Sequence, residues 1–340
     1  MEPKINILVV DDDLNNIQVG INILKENKTY HLIFATSGEQ ALARVKERSF
    51  DLILLDILMQ PMDGFEVCKK LQADPATREI PIIFLTAKTD TTSMIQGFEL
   101  GGVDYVTKPF NSHELNARVR THLQLRCFHM QQMESVQKEV ILMLGDACEF
   151  RSAETGRHNQ RIGQFSALLA ELCGLSAAEC ECLRWAAPLH DIGKISIPDA
   201  ILQKPGKLTP EEFAIIKTHS KAGFDILSRS DKQLMGAAAI IAHEHHEYWN
   251  GAGYPQGLQG EHIHIYGRIV AIVDVFDALL HRRVYKNAWH FEETTEYLAK
   301  NRGTQFDPDL LNLFLENIER FKSIHNTLRD DIDSSPQDVH

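Results

Sequence analysis

Five short runs of Val, Ile and Leu, separated by amphipathic stretches, fill the first 110 residues and constrain the fold more than any other feature. These runs do not alternate apolar with polar residues, which is typical of strands that are covered on both faces. The sequence therefore predicts a doubly wound α/β domain with a five-stranded parallel sheet. The strands are predicted at residues 5–10, 31–35, 52–55, 82–85 and 103–106, and helices between them at 17–24, 39–48, 64–72 and 93–100.

The next segment, from Ser112 to Leu144, contains no Gly or Pro and carries an apolar stripe at roughly helical spacing. The simplest interpretation is one continuous helix that leaves the first domain and breaks near Gly145. Two alternatives stay open for its apolar stripe: the helix packs back on its own domain, or it forms a dimeric coiled coil with a second copy. The stripe consists of Leu115, Val119, Leu123, Met130, Met133, Ile141 and Leu144.

The rest of the chain, after Gly145, has no alternating strand pattern and is predicted to be all-helical. The whole chain is therefore predicted to be multidomain, with a long helix joining an α/β domain to an all-α domain. The predicted boundaries are 1–125 for the first domain, 126–145 for the helical linker, 146–328 for the helical domain and 329–340 for a flexible acidic tail.

The net charge of −12 limits the classes of function. A DNA-binding output would normally bring a basic domain or recognition helix, and none is visible. An anionic substrate would need metal ions or local Lys and Arg side chains. No apolar run approaches the ~20 residues of a membrane span, and no export signal is visible. The six cysteines have no disulfide-like spacing, so we expect a cytoplasmic protein with reduced thiols.

Five polar residues stand where predicted strands end: Asp11, Asp12, Asp56, Thr86 and Lys108. The carboxyl ends of parallel strands form the crevice in which such folds bind ligands. Three carboxylates there would repel one another unless a divalent cation joined them, and Mg²⁺ prefers oxygen ligands. The lysine and the hydroxyl would hold a transferred phosphoryl group.

A second set of eight residues has the composition of a metal site: Glu154, His158, His190, Asp191, His219, His245, His246 and Asp274. A lone histidine on an apolar face is more often a core residue, but eight such groups favour metal binding. Adjacent side chains on a helix diverge by roughly 100°, so His245 and His246 could each serve a different ion. Mixed imidazole and carboxylate ligands suit Fe, Mn, Ni or Zn, and two such ions can clamp a phosphodiester.

The first constellation resembles the receiver domain of two-component response regulators over about residues 4–125. The matching words are LVVDD at 8–12, LLD at 54–56, PMDG at 61–64, LTA at 85–87 and TKPF at 107–110. The resemblance implies that Asp56 accepts a phosphoryl group from a sensor histidine kinase. It also implies that Asp12 and Asp56 bind Mg²⁺ directly, helped by the carbonyl of Leu58, while Asp11 holds a metal-bound water.

Further roles follow from the same resemblance. Thr86 and Lys108 are expected to contact the phosphate, and Tyr105 is expected to be the aromatic residue that swings inward on activation. The peptide bond between Lys108 and Pro109 is expected to be cis.

The second constellation resembles the HD-GYP family of cyclic di-GMP phosphodiesterases over about residues 146–322. The matching words are ETGRH at 154–158, LHDIGK at 189–194, HHE at 245–247, GAGYP at 251–255 and DVFDAL at 274–279. The resemblance implies an HD-superfamily helical bundle that opens cyclic di-GMP to linear pGpG, and a second cut to GMP is left open. Two alternatives remain: a preference for pGpG or another cyclic dinucleotide, and a non-catalytic signalling adaptor.

The family pattern also implies a bi- or trinuclear centre. Asp191 is expected to bridge a first ion, bound with His158, His190 and Asp274, to a second ion. Iron or manganese is favoured, with nickel and zinc as alternatives. The second ion is expected to have the ligands His219, His245 and His246, and Glu154 stands at the position that permits a third ion.

Lys194 looks like the family lysine near the scissile phosphate, where it would stabilise charge or donate a proton. Tyr254, Arg283 and Lys286 match substrate contacts. The chain departs from the family at Asn250, at Leu280 and His281, and at His264, which bears on substrate preference and removes no metal ligand. We also expect a homodimer through the receiver and linker helix.

Overall fold

The structure is a computed structural model that describes residues 4–86, 91–152, 157–281 and 288–329. The chain divides into two compact units, Met1–Glu134 and Ser135–His340. No helix in the described part of the chain combines the length and apolar character that crossing a bilayer requires.

The first unit is built on a five-stranded parallel sheet with the order β2-β1-β3-β4-β5, which confirms the predicted architecture. Its strands are β1 (Ile5–Val10), β2 (Tyr30–Ala35), β3 (Leu52–Asp56), β4 (Ile82–Thr86) and β5 (Asp104–Thr107). The strand order reverses between β1 and β3, and such a switch point opens a ligand crevice at the carboxyl ends of the strands. Asp11 and Asp56 stand at those two ends.

Four helices cover the two faces of this sheet: α1 (Leu14–Leu24), α2 (Gly38–Glu47), α3 (Gly64–Ala73) and α4 (Thr91–Glu99). Separate apolar clusters fill the two sides, one around Leu8 and Leu55 and the other around Val9 and Leu54. Helix α1 begins earlier than the predicted residue 17 because the Asp13 side chain accepts from the backbone N–H of Asn15 and caps the helix.

Helix α5 (Ser112–Glu149) is the predicted continuous helix, but its predicted break near Gly145 is wrong. A Cβ atom at Gly145 would lie 2.7 Å from the carbonyl oxygen of Pro188 and 2.9 Å from Nδ2 of Asn159. The glycine therefore permits a close approach to neighbouring segments. Packing there outweighs the cost of about 1 kcal/mol that glycine brings to a helix interior.

The predicted apolar stripe on α5 is not covered along its whole length. Leu115 and Val119 are buried in the first unit, and Ile141 is buried in the second. Met130 and Met133, which lie between them, are exposed.

The second unit is helical throughout its described part, as predicted. Its helices are α6 (His158–Leu172), α7 (Ala177–Ala186), α8 (Asp199–Leu202), α9 (Pro210–Leu227), α10 (Gln233–Glu244), α11 (Ile265–Leu280), α12 (Phe291–Lys300), α13 (Pro308–Glu316) and α14 (Ile318–Thr327). Phe165 of α6 packs edge-on against Phe276 of α11, and Phe314 and Phe321 complete an aromatic core. Residues 330–340 of the predicted acidic tail lie outside the described residues.

Candidate metal centre and phosphoacceptor site

Three carboxylates meet at the switch point of the sheet. Oxygen atoms of Asp11, Asp12 and Asp56 lie within 4.8 Å of one another. Nζ of Lys108 is 2.6 Å from Oδ2 of Asp11 and 2.8 Å from Oδ1 of Asp56. Burial raises the pKa of Asp56 from its usual value, although Lys108 opposes that shift. Such an acidic site, with one lysine against three carboxylates, suits a divalent cation.

The other receiver residues surround the same crevice. Thr86 is buried at the end of β4, and the half-buried Tyr105 lies with it in the lining of one pocket. The peptide bond between Lys108 and Pro109 is cis, as the receiver resemblance implies.

In the second unit, the predicted metal ligands come from separate segments that the fold brings together. His158 begins α6, His219 lies in α9 and Asp274 lies in α11. His190 and Asp191 stand between two short 3-10 segments, Ala187–Leu189 and Ile192–Ser196. These segments interrupt regular helix, so that both side chains of the pair reach the cluster.

The imidazole rings of this cluster are oriented by hydrogen bonds through Nδ1. In His190, His219 and His245, Nδ1 lies 3.0, 2.7 and 3.0 Å from the backbone carbonyl oxygens of Ala187, Ile216 and Ile241. Since a carbonyl oxygen only accepts, each Nδ1 carries the hydrogen, and in a neutral ring Nε2 is left with a lone pair. Metal-ligating histidines are typically held this way.

These ligand atoms form two groups joined at Asp191. One group consists of Asp191, His219, His245 and His246, and the other of Glu149, His158 and His190, with the ligand atoms of each within 4.8 Å. Oδ1 of Asp191 is 3.1 Å from Nε2 of His219, and its Oδ2 is 3.3 Å from Nε2 of His190. Asp191 therefore faces both groups, which suits a bridging ligand.

Asp274 lies nearer to the second group. Its Oδ1 is 3.8 Å from Nε2 of His158 and 3.7 Å from Nε2 of His190. The structure thus brings Asp274 to the two histidines with which it was predicted to share an ion.

The electrostatics of the cluster favour a bound cation. Burial lowers the pKa of His246 to about 3, so this ring is neutral. Burial also acts to lower the pKa of His190, but the carboxylates of Asp191, Asp274 and Glu149 outweigh it and raise that pKa to about 10. The cluster is therefore acidic enough to attract positive charge, which a divalent ion can supply.

Buried polar atoms without hydrogen bonds point to the same conclusion. Nε2 of His190, Nε2 of His245 and Oδ1 of Asp191 are buried and have no hydrogen-bond partner among the described residues. A buried polar atom without a partner is costly, and metal coordination removes that cost. The donor set of imidazole and carboxylate fits divalent first-row transition metals.

Two outcomes at the site differ from expectation. Helix α10 ends at Glu244, so the two histidines that follow do not diverge as on a helix: their ring centroids are 4.0 Å apart, and both belong to one group. The possibility that these two rings serve different ions gains no support from this geometry, and the single group has the same members as the second ligand set that the family resemblance implies. Glu149, which is 2 % exposed and lies in the other group, was not predicted, because the helix that carries it was expected to end earlier.

Of the predicted catalytic and substrate-binding residues, Lys194 and Tyr254 lie beside the cluster. Nζ of Lys194 is 2.6 Å from Oδ2 of Asp191 and 3.5 Å from Oε1 of Glu149. The Tyr254 ring centroid is 4.8 Å from that of His246. Three predicted site residues lie outside the described residues: Glu154, Arg283 and Lys286.

Asp277 is a buried residue behind the cluster to which no role was assigned from the sequence. Its Oδ2 is 2.7 Å from Nδ1 of His158, and its Oδ1 accepts from Nε of Arg161 at 2.7 Å. Arg161 is fully buried, and its Nη1 also donates to the carbonyl oxygen of Leu328. Burial would raise the pKa of Asp277, but His158 and Arg161 hold it well below its usual value.

Glu247 organises the loop that carries Tyr254. The buried carboxylate accepts backbone N–H groups of Gln256, Gly257 and Leu258 at 2.6, 3.2 and 3.0 Å. The backbone N–H of Tyr254 in turn donates to the carbonyl oxygen of His246. The loop is therefore tied to the metal-ligand segment at several points.

Replacing Glu247 with glutamine is expected to loosen this loop, because an amide supplies one acceptor where the carboxylate supplies two. Charged hydrogen bonds of this kind contribute about 1.5–3 kcal/mol. Hydrogen exchange of the amides of residues 256–258 should accelerate, and the KM for substrate should rise while metal content stays unchanged. The exposed Glu261, replaced in the same way, serves as the control, and equal protection in both variants would contradict the assignment.

Comparison with known proteins agrees with both predicted domains. The chain matches the response regulator receiver domain over residues 7–120 and the HD domain over residues 142–310. It is 37% identical to a probable cyclic di-GMP phosphodiesterase of Vibrio cholerae serotype O1, over 96% of this chain and 80% of the relative. It is 36% identical to the cyclic di-GMP phosphodiesterase response regulator RpfG of Xanthomonas campestris pv. campestris, over 94% of this chain and 89% of the relative.

A further relative differs in the substrate that its name states. A 3'3'-cGAMP-specific phosphodiesterase of Vibrio cholerae is 39% identical over 79% of this chain and 52% of the relative. The fold and the two sites define a response regulator whose output domain is a metal-dependent hydrolase. Within that class, the chain belongs to the family of response regulators with an HD domain that includes the cyclic di-GMP phosphodiesterases.

Proposed function

We propose that this chain hydrolyses cyclic di-GMP to linear pGpG, and that phosphorylation of Asp56 controls the reaction. The single observation that carries the catalytic part is the set of imidazoles held through Nδ1, with Nε2 directed at the carboxylate of Asp191. With Nδ1 of each ring turned to a backbone carbonyl oxygen, Nε2 is the atom that can coordinate a cation. The family relationship to cyclic di-GMP phosphodiesterases supports the substrate.

The roles of the protein groups follow from the distances in the cluster. Bound metal ions would supply Lewis acidity and lower the pKa of a water molecule. Asp191 would join the two ion positions, because its two oxygens face different histidines. Lys194 would keep an ammonium proton beside Asp191, where it can stabilise or protonate the leaving oxygen.

The metals proposed for the hydrolase centre are two or three divalent ions, iron or manganese first, with nickel and zinc as alternatives. Glu154 is the proposed further ligand if a third ion binds. Mg²⁺ is proposed for Asp11, Asp12 and Asp56 in the receiver, because an all-oxygen site suits that ion.

A second candidate substrate is 3'3'-cGAMP or another cyclic dinucleotide. The relationship to a cGAMP-specific phosphodiesterase supports it. The departures from the family pattern also support it. They lie beside the Gly-Tyr-Pro turn and after Asp277, so they leave the metal ligands in place and affect the choice of nucleotide. A third possibility is a preference for linear pGpG. Comparing the turnover of pGpG with that of the cyclic dinucleotides tests it.

The experiment is hydrolysis by the purified full chain loaded with Mn²⁺ or Fe²⁺, followed by chromatography of the nucleotides. Cyclic di-GMP, 3'3'-cGAMP and pGpG are compared at equal concentration, with and without a phosphoryl donor. We expect pGpG to accumulate from cyclic di-GMP, and chelator-treated protein serves as the control. An intact ring in every metal and phosphorylation state would refute the proposed function.

The proposed regulatory setting is a two-component system in the cytoplasm, with a sensor histidine kinase as phosphoryl donor. The receiver domain supports a donor of that kind. The presence of six free cysteines supports a reducing compartment. The proposed boundaries are a receiver at 1–125, a linker at 126–145, a hydrolase domain at 146–328 and a tail at 329–340.

A homodimer through α5 is proposed from an exposed apolar seam on that helix. Met133, Val136, Val140 and Met143 are all exposed and follow the 3-4-3 spacing of a coiled coil. A second copy of the same helix presents the same seam, so a two-fold pair would cover both.

Replacing Met133 and Val140 together with glutamate is expected to convert the dimer into a monomer, because two charges per helix would have to be buried in the seam. Light scattering after size-exclusion chromatography measures the mass. The control replaces the exposed polar residues Gln131 and Ser135, which lie off the seam, with glutamate. A monomeric native chain, or an unchanged dimer in the seam variant, would exclude this interface.

A further inference from the structure

Glu149 is the last residue of α5 and is buried beside two predicted metal ligands. Its side chain is 2 % exposed, and its carboxylate lies in the same group as the imidazoles of His158 and His190. The group is not explained by local sequence, because these residues come from α5, from the start of α6 and from the segment between two 3-10 turns.

The side chains around Glu149 have the composition of a cation site. Nδ1 of His158 faces Asp277, and Nδ1 of His190 faces the carbonyl oxygen of Ala187, so Nε2 is the atom that each ring turns toward the centre. Two imidazole nitrogens and a carboxylate oxygen within 4.8 Å of one another form a donor set that suits a divalent transition-metal ion. The ammonium of Lys194 is closer to Asp191 than to Glu149, at 2.6 against 3.5 Å, so it offsets the charge of Asp191 first.

The position of Glu149 is fixed by the last turns of α5. Ile141 and Cys148 are buried in the core of the second unit, and the chain at Gly145 approaches the carbonyl of Pro188 too closely for any side chain. The same helix contributes Leu115 and Val119 to the core of the receiver. One continuous helix therefore contains receiver core residues and ends at the metal cluster.

We propose that Glu149 is a ligand of the ion shared by His158 and His190, and that α5 thereby couples the receiver to retention of that ion. The inference rests on the metal centre of the proposed function and is independent of which nucleotide is hydrolysed. Ligand distances must lie within about 0.2 Å of their ideal values. Helix shifts in regulatory transitions reach about 1–2 Å. A displacement of α5 much smaller than the length of one residue would thus weaken the bond between Glu149 and the ion.

The test measures metal release from the full chain under chelator challenge, by elemental analysis of samples taken over time. Glu149→Gln is compared with Glu139→Gln, an exposed acid on the same helix. We expect release of one ion per chain to accelerate at least about tenfold in Glu149→Gln and not in the control. Glu149→His, which offers a replacement ligand, should restore retention if the role is coordination, whereas a purely structural ion pair with Lys194 would not be restored.

The coupling is tested in the same assay with beryllofluoride, which mimics the phosphoryl group on Asp56. The release rate of the native chain should change on its addition, and this change should vanish in both Asp56→Asn and Glu149→Gln.

Wild-type metal retention by Glu149→Gln, with circular dichroism unchanged, would overturn the ligand assignment. If beryllofluoride does not change the rate of metal release from the native chain, the proposed coupling is overturned. A native chain that binds no transition metal at all would instead refute the proposed function.

Discussion

Replacing Asp191 with asparagine is expected to lower the hydrolysis of cyclic di-GMP about a thousandfold or more, because several kcal/mol of transition-state stabilisation depend on the metal centre and each 1.36 kcal/mol is a factor of ten. Asp191 is the residue on which both ligand groups converge. Its Oδ1 faces His219, and its Oδ2 faces His190 and Lys194. Asparagine keeps the shape of the side chain but removes the charge and one acceptor oxygen.

The measurement combines kcat with metal content of the same preparation. We expect a folded variant that has lost one ion or more per chain. Asp225→Asn is the matched control, because Asp225 is exposed and pairs with Lys221 on the surface of α9. If the Asp191 variant kept its full metal content and activity within tenfold of the native chain, the bridging role would be wrong.

The second large effect is expected at Arg161, whose replacement by methionine should cost about 3–5 kcal/mol of stability in the hydrolase domain. Arg161 is fully buried and contacts both carboxylate oxygens of Asp277, at 2.7 and 3.1 Å. Methionine fills part of the volume, but the buried carboxylate of Asp277 loses the positive charge and the hydrogen bonds of the guanidinium. Asp277 also orients His158, so metal retention should fall with stability.

Hydrogen exchange of the backbone amides of α6 and α11 measures the stability of the hydrolase domain by itself. Arg320→Met is the control: Arg320 pairs with Glu171 in an exposed contact, and such pairs contribute about 1 kcal/mol or less. The double variant Arg161→Met with Asp277→Leu removes both charges and should be more stable than Arg161→Met alone. Equal protection of α6 in the native chain and in Arg161→Met would contradict the account.

The fold was largely predictable because its patterns are local. Unbroken Val, Ile and Leu runs marked each strand of the sheet within a residue or two, and the absence of alternation after Gly145 marked the helical unit. Most of the candidate ligands that the fold brings together were also visible, because His190-Asp191 and the other motifs have unusual composition for their surroundings.

What the sequence did not reveal depends on tertiary contacts. Gly145 reads as a helix stop, and only the nearness of Pro188 and Asn159 explains why a glycine stands inside α5. With the end of α5 misplaced, Glu149 had no reason to be considered a ligand. The hydrogen bonds that orient His190 and His219 depend on side-chain rotamers, and rotamers are not encoded in residue spacing.

The central claim is that the imidazoles and carboxylates around Asp191 hold a cluster of transition-metal ions. Elemental analysis of the full chain, purified anaerobically and loaded with Fe²⁺ or Mn²⁺, tests it most directly. The account predicts at least two ions per folded chain, with a lower number after the Asp191→Asn replacement. A folded native chain that retains no ion under these conditions would contradict the account.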